Sequence, residues 1–537
     1  MSRTNLNESQ MENQETRISS IRRPSLKINA ASNWLALGVN MVVGFILTPY
    51  LIECLGADKY GIWLLVISVI GYSGLLDLGI TSATMRYVAR YVGQRADKLL
   101  NKTINTSLAI FCLAGLTFII ASLFAAAPLA NFFHIKAEEI NSFKIAIWLT
   151  GISAGLMFPD RVLAVVILAH ERFVIGNTVK VAIIILKGVL SILVLFTGGG
   201  LVGLGLVFAV LGFLSLIVNF AIIKIFFRHI HFAFSAVSKL SVRLLISFGF
   251  FAMLAQIGVF LSTQLSSAII ARFCELKMVG VYGVAVLVLG YLRRLVISCV
   301  GVTQPRLAAL AGTVDKQEFT NLLMRYSVLI SNLTACAGLV AYFLVKDFFL
   351  LWLPDSFYDL RSAHLVFMIL LLSLVPSLMV SILINALQAI KKHAYYAYQT
   401  IGEGVISLIL SVILVKKYGV VGVAIGVTVP SLFARVVVQP LYCSRLIHFR
   451  WFRYFWSVLF KPLSLIVFLI LVVKVFRLNR HVNSYFQLMT KGIALGILYY
   501  IFAYYYCFNE TIRNNIKLNL KRLYIGCQKI VFRLPNI

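Results

Sequence analysis

The sequence predicts an all-α polytopic membrane protein of about fourteen transmembrane helices, two pseudo-symmetric six-helix bundles followed by two C-terminal helices. Three observations lead there. Of 537 residues, 60% are hydrophobic and only 13% are charged, about half the charge of ordinary soluble domains. The mean hydropathy is +0.92. Apolar runs near the length of about 20 residues that spans a bilayer recur along the whole chain.

Residues 1–27 form a polar tail ending in IRRPSLK, so no cleavable signal peptide is expected and the first apolar run is retained. Spans are expected near 30–52, 60–80, 105–127, 144–168, 174–197 and 201–226, making an N-lobe over 28–227. The basic stretch RHIHFAFSAVSKLSVR (228–243) then reads as a cytoplasmic linker. A C-lobe over 244–445 follows, with spans near 244–269, 279–302, 325–346, 363–389, 397–416 and 419–442. Two more spans, near 455–475 and 490–508, complete the segment 446–508, and 509–537 is a basic cytoplasmic tail. Its spaced aliphatics would suit an amphipathic helix on anionic headgroups as well as a solvated tail.

The formal charge of +30 does not point to nucleic acid, because the basic residues form no aromatic-interleaved patch. They alternate between connections, about thirty on one side against roughly a dozen on the other, which puts both termini in the cytoplasm. The outward loops, such as LGADK and KDFFLLWLPDSFYDLR, are short. The eight cysteines are scattered without a C-x-x-C pair, so neither a disulfide framework nor a zinc site is expected.

The halves carry traces of a repeat. Gly61, Gly71-Tyr72 and Gly93 recur at one shared offset as Gly280, Gly290-Tyr291 and Gly312, and VISVIGY aligns with AVLVLGY. Duplicated bundles with a site between them are a recurring transporter plan.

Charges inside the spans are the candidate functional residues, since each costs roughly 2.5–3.5 kcal/mol at a helix centre. Arg293 and Arg294 fall near the middle of the eighth span, unless that span is shorter and the pair interfacial. Lys180 and Lys187 are seven apart and share one helical face; Lys180 could also snorkel to the interface. Asp77, near the cytoplasmic end of its span, is either an interfacial hydrogen-bonded group or one half of a cross-lobe pair with Arg293 and Arg294. Glu403 is a second coupling candidate, although it and Arg435 could simply pair. Asp160-Arg161, after Pro159, marks a kinked or interrupted helix. Gln256 and Gln264 could line a cavity or bond a neighbouring helix.

One stretch carries a family resemblance. LTPYLIECLGADKYGIWLLVISVIGYSGLLDLGITSATMRYVAR resembles the N-terminal signature of Wzx-type polysaccharide flippases, through Pro49, Leu55-Gly56, Tyr60-Gly61, Asp77-Leu78-Gly79 and Arg86-Tyr87-Val88. QPRLAAL (304–310) resembles the end of the eighth helix in that family. These proteins share a superfamily with lipid II flippases and multidrug and toxin extrusion antiporters. The resemblance implies a carrier, not an enzyme, that alternates between inward- and outward-open states. It would move an undecaprenyl-diphosphate-linked oligosaccharide across the bacterial cytoplasmic membrane.

Membrane lipids would surround the carrier, polysaccharide polymerase and chain-length machinery are candidate partners, and no cofactor is implied. Arg293, Arg294, Lys187 and Lys180 would bind the anionic headgroup. A cation antiporter of the same fold would instead need an acidic cavity. A membrane polymerase would carry large outward loops, and no D-x-D or H-x-x-x-x-D pattern supports transferase chemistry.

Overall fold

A computed structural model describes residues 26–311, 316–357, 359–390, 392–476, 482–514 and 517–518. The N-terminal tail, Gly312 of the repeat and nearly all of the basic C-terminal tail lie outside the described residues. Among the described residues the chain is helical, without strands, and 12 helices are long and apolar enough to cross a membrane. The protein is a multi-pass all-α membrane protein.

The two longest helices contain a break at a glycine. In α1 (Leu26–Tyr72) it falls at Gly56, with φ 74°, and in the long helix His393–Leu432 at Gly419, with φ 57°. Gly56 lies between the first two expected spans and Gly419 opens the twelfth, and glycine adopts this left-handed backbone without a Cβ penalty. The twelve helices and the fourteen expected spans differ at these two places.

The second expected span, 60–80, does not run as one α-helix to residue 80. Its α-helix ends at Tyr72, continues as a 3₁₀ turn over Ser73–Asp77, and breaks at Leu78 (φ 50°) and Gly79 (φ 70°). A Cβ on Gly79 would sit 2.2 Å from the Gly249 carbonyl oxygen, which explains why a glycine completes Asp77-Leu78-Gly79. A short helix, α2 (Ile80–Gly93), follows. The next spans are α3 (Asp97–Phe132), α4 (Ile140–Ala169), α5 (Phe173–Phe196) and α6 (Gly200–Phe226). Of the kink or interruption expected at Pro159, an interruption is absent: α4 runs through the proline as one helix. The seventh span, α7 (Lys239–Thr263), stops short of the expected end, and α8 (Leu265–Phe273) begins after Gln264.

The chain divides into two compact units. One comprises the described residues up to Cys54 together with Val69–Met253. Its centre is α4, with 56% of its apolar window buried against 17% for α5. Helices α3 and α4 touch where Gly115 meets Gly155, since a Cβ on Gly115 would lie 2.4 Å from the Gly155 oxygen. Small residues permit such backbone approach where lipid offers no hydrophobic drive.

The other unit comprises Leu55–Ser68 and the chain from Leu254 onward. It contains α9 (Leu276–Gly301), α10 (Gln304–Ala311), α11 (Lys316–Trp352), α12 (Leu360–Met379), α13 (Ile382–Ala389) and α14 (His393–Leu432). Two glycines let the second and eighth spans approach each other: a Cβ on Gly61 would meet the Leu276 carbonyl, and one on Gly280 the Tyr60 ring. A π-helical turn (Phe433–Val438) and α15 (Gln439–Ile447) follow α14. After them come α16 (Trp451–Tyr454), α17 (Lys461–Val475) and α18 (Tyr485–Tyr506). Helix α18 is pinned to α11 by Lys491 Nζ on Asp347 Oδ2 at 2.9 Å and Tyr499 Oη donating to Asn332 Oδ1 at 3.0 Å. Both acceptors are buried.

Candidate substrate site

In the first unit, Lys187 projects from the middle of α5. Its ammonium lies 3.8 Å from the centroid of Phe208 on α6. Among the described residues no carboxylate forms an ion pair with it. A desolvated cation–π contact is worth about 2 kcal/mol, less than the roughly 2.5–3.5 kcal/mol that a lysine costs at mid-span. The ring therefore offsets only part of the cost, and an anion would offset more. Lys180 sits two turns earlier on the same helix and is exposed. One turn before Lys180, buried Asn177 ties α5 to α1 by donating to Ser32 Oγ at 2.9 Å and Asn33 Oδ1 at 2.7 Å.

Asp77 has partners within its own unit. Its Oδ1 accepts from the Thr81 backbone N–H at 3.1 Å and its Oδ2 from the Thr81 hydroxyl at 2.6 Å, closing the break before α2. Arg161 of α4 reaches the same Oδ2 at 3.3 Å, gives a second hydrogen bond to Ser73 Oγ at 3.1 Å, and lies over the Phe158 ring. Asp160, the preceding residue, takes the opposite course. It accepts from Ser215 Oγ at 2.8 Å and Asn219 Nδ2 at 2.7 Å, both on α6. The Asp160-Arg161 dipeptide thus joins α4 to two neighbours instead of marking a break. The sequence carries the signal, two adjacent opposite charges inside a span, but not which helices they reach.

In the second unit, Arg293 and Arg294 on α9 are exposed, with the Arg294 guanidinium 5.9 Å from the Tyr291 centroid. Glu403 of α14 and Arg435 of the π-helical turn form the pair anticipated from the sequence, at 3.0 Å, with side chains only 7% and 12% accessible. Arg435 also donates to Gln439 Oε1 at 3.4 Å and stacks over Tyr396. The π turn widens the helix by one residue at Arg435, a feature frequent at functional sites. Of the predicted groups, Lys180 and Lys187 lie on one helix, and Glu403 pairs with Arg435.

Among the described residues no cluster of three or more His, Cys, Asp and Glu is placed to hold a metal ion. A groove of about 650 Å³ runs along α18, lined by Ile493, Ile497, Tyr500, Ile501 and Tyr504 among others. It contains no charged group, so it cannot be the place where an anionic headgroup is held.

This architecture is that of the transporters and flippases of the multidrug/oligosaccharidyl-lipid/polysaccharide exporter superfamily. A lipid II flippase, MurJ, in an inward closed conformation superposes with a TM-score of 0.69 at 16% identity, over 88% of this chain and 97% of that one. An inward-facing multidrug resistance MATE family transporter superposes at 0.61 with 16% identity, over 76% of this chain and 98% of that one. Within the superfamily, residues 26–311 match the family model described as polysaccharide biosynthesis protein, and the chain belongs to that family. A Shigella flexneri protein named "Putative O-antigen transporter" is 22% identical over 77% of this chain and 97% of its own length. The flippase resemblance of the first hundred residues is thereby upheld.

Proposed function

We propose that the protein carries an undecaprenyl-diphosphate-linked oligosaccharide from the inner to the outer leaflet of a bacterial cytoplasmic membrane, with both its termini in the cytoplasm. The two lobes would expose the carrier site to each side in turn, for surface polysaccharide assembly. The observation that carries this reading is Lys187, a mid-span cation with an aromatic ring in place of a carboxylate. A diphosphate supplies the missing anion. Arg293 and Arg294 add guanidiniums, the better bidentate partners for phosphate oxygens, and Lys180 a fourth cation. Asp77 and Glu403 neutralise cations when no substrate is bound and are the candidate coupling groups. Polysaccharide polymerase and chain-length machinery would act on the product.

A cation antiporter of the same fold is the rival. It would need an acidic group left for the drug, whereas Asp77, Asp160 and Glu403 are already engaged by donors. The test is export of lipid-linked glycan, normalised to protein level, in cells carrying Lys187→Ala, Lys187→Arg or Arg293→Ala. Export should be lost in both alanine variants and partly kept in Lys187→Arg. Full export in both alanine variants would overturn the cationic site, and protection against cationic drugs would favour the rival.

A further inference from the structure

The basic connection after α6 contains an arrangement that carriage of a lipid does not call on. Asn101 and Asn105 stand one turn apart at the start of α3. The Asn101 side chain donates to the His229 carbonyl at 3.1 Å and accepts from the His231 N–H at 2.8 Å. Asn105 repeats the pattern two residues on, donating to the His231 carbonyl at 2.8 Å and accepting from the Ala233 N–H at 2.9 Å. Thr106 adds a fifth bond, its hydroxyl oxygen accepting from the Ser238 N–H at 3.1 Å.

Two periodicities make this possible. Four residues of helix advance about 6.0 Å, and two residues of extended chain about 6.6 Å. Carboxamides at positions i and i+4 can therefore act as the peptide groups of a missing neighbouring strand. The side chains secure the other face. Phe227 and Ile230 are buried, at 6% and 2% accessibility. Phe227 lies 4.5 Å from the His170 ring, and Phe232 stacks on Phe220 of α6 at 5.3 Å.

We propose that residues 227–238 are a fixed strap of the first unit, held by the Asn101–Asn105 ladder, and not a flexible linker. The chain then gains freedom only beyond Ser238. Since α7 belongs to the first unit up to Met253 and to the second from Leu254, this connection can yield only within α7, while the other two crossings, after Cys54 and after Ser68, lie within α1.

The test is hydrogen exchange resolved to single amides on the purified full-length protein in lipid nanodiscs. His231 and Ala233, which lie outside any helix, should exchange far more slowly than their intrinsic rates. The strap residue His229, whose N–H none of these side chains engages, serves as the internal comparison. In Asn101→Ala/Asn105→Ala the protection of His231 and Ala233 should fall by at least about tenfold, while amides in the middle of α4 keep theirs. Near-intrinsic exchange at His231 and Ala233 in the wild type would overturn the proposal, and so would unchanged protection in the double variant. The wild-type measurement decides the matter even if that variant does not accumulate, and it is independent of what the protein transports.

Discussion

Replacing one member of the Glu403–Arg435 pair should be far more damaging than replacing both. With side chains only 7% and 12% accessible, neither charge can recover hydration when its partner is removed. Losing one partner of such a pair costs about 3–5 kcal/mol, a shift of roughly a hundred- to several-thousand-fold in the folding equilibrium. Glu403→Gln leaves a buried guanidinium without a counter-charge, held only by neutral groups: the amide oxygen, Tyr396 and a 3.4 Å bond to Gln439. Arg435→Met leaves the buried carboxylate without its contacting guanidinium and with only the Ser431 hydroxyl as donor. The double variant Glu403→Leu/Arg435→Met removes both charges at similar volume and should fall within about 1 kcal/mol of the wild type. Reversible unfolding in bicelles, followed by steric trapping, measures all three. Single variants within about 1 kcal/mol of the wild type, with an additive double, would refute the reasoning. Transport by the stable double variant then separates roles: loss of export assigns the charges to coupling, and normal export leaves them structural.

Arg161→Ala should release the guanidinium from Asp77 but leave Asp77 anchored by its two bonds to Thr81. Helix α2 should therefore stay formed in that variant, and Asp77→Asn should lower export more than Thr81→Val does at matched protein levels. Lys491→Met should weaken the hold of α18 on α11 by removing the ammonium from the buried Asp347, costing up to about 3 kcal/mol, while the Tyr499–Asn332 bond remains. Asp347→Asn/Lys491→Met should restore most of that loss, as read by thermal unfolding in detergent. Burial lowers the pKa of His170 and of His229, with Asp97 opposing the shift and His231 and Arg172 reinforcing it. The docked strap therefore favours neutral imidazoles, so its stability is full above the ordinary histidine range and declines as pH falls through it. Protection of the His231 and Ala233 amides should accordingly drop between about pH 7.5 and about pH 5.5, and a rise over that interval would contradict the assignment.

Much of this fold is legible from hydropathy, because in a bilayer every spanning backbone must close its own hydrogen bonds and long apolar runs become helices. Gly56 and Gly419 fall where the apolar runs divide, and the Glu403–Arg435 pair could be anticipated because its members lie inside consecutive spans. What escaped the sequence depends on which helix faces which. Arg161 and Asp77 are 84 residues apart, and Lys491 and Asp347 are 144 apart; no local pattern joins them. Asp347 looked like part of an outward loop, and a two-residue left-handed break at Leu78-Gly79 leaves no mark in a hydropathy average. The strap was hidden for a different reason. Its binding partners are backbone groups, which every sequence possesses, and only the Asn101 and Asn105 spacing hints at a ladder.

The central claim, that this chain moves an anionic lipid-linked glycan, is tested most directly in proteoliposomes. Purified protein would be reconstituted with an undecaprenyl-diphosphate oligosaccharide bearing a fluorescent sugar, and the fraction accessible to an external glycosidase followed over time. The account predicts that wild-type protein brings the inner pool within reach of the enzyme. Lys187→Ala and Arg293→Ala should each slow this by about 10- to 100-fold, the value of one charge-assisted contact. Wild-type vesicles that expose the glycan no faster than protein-free vesicles would contradict the account.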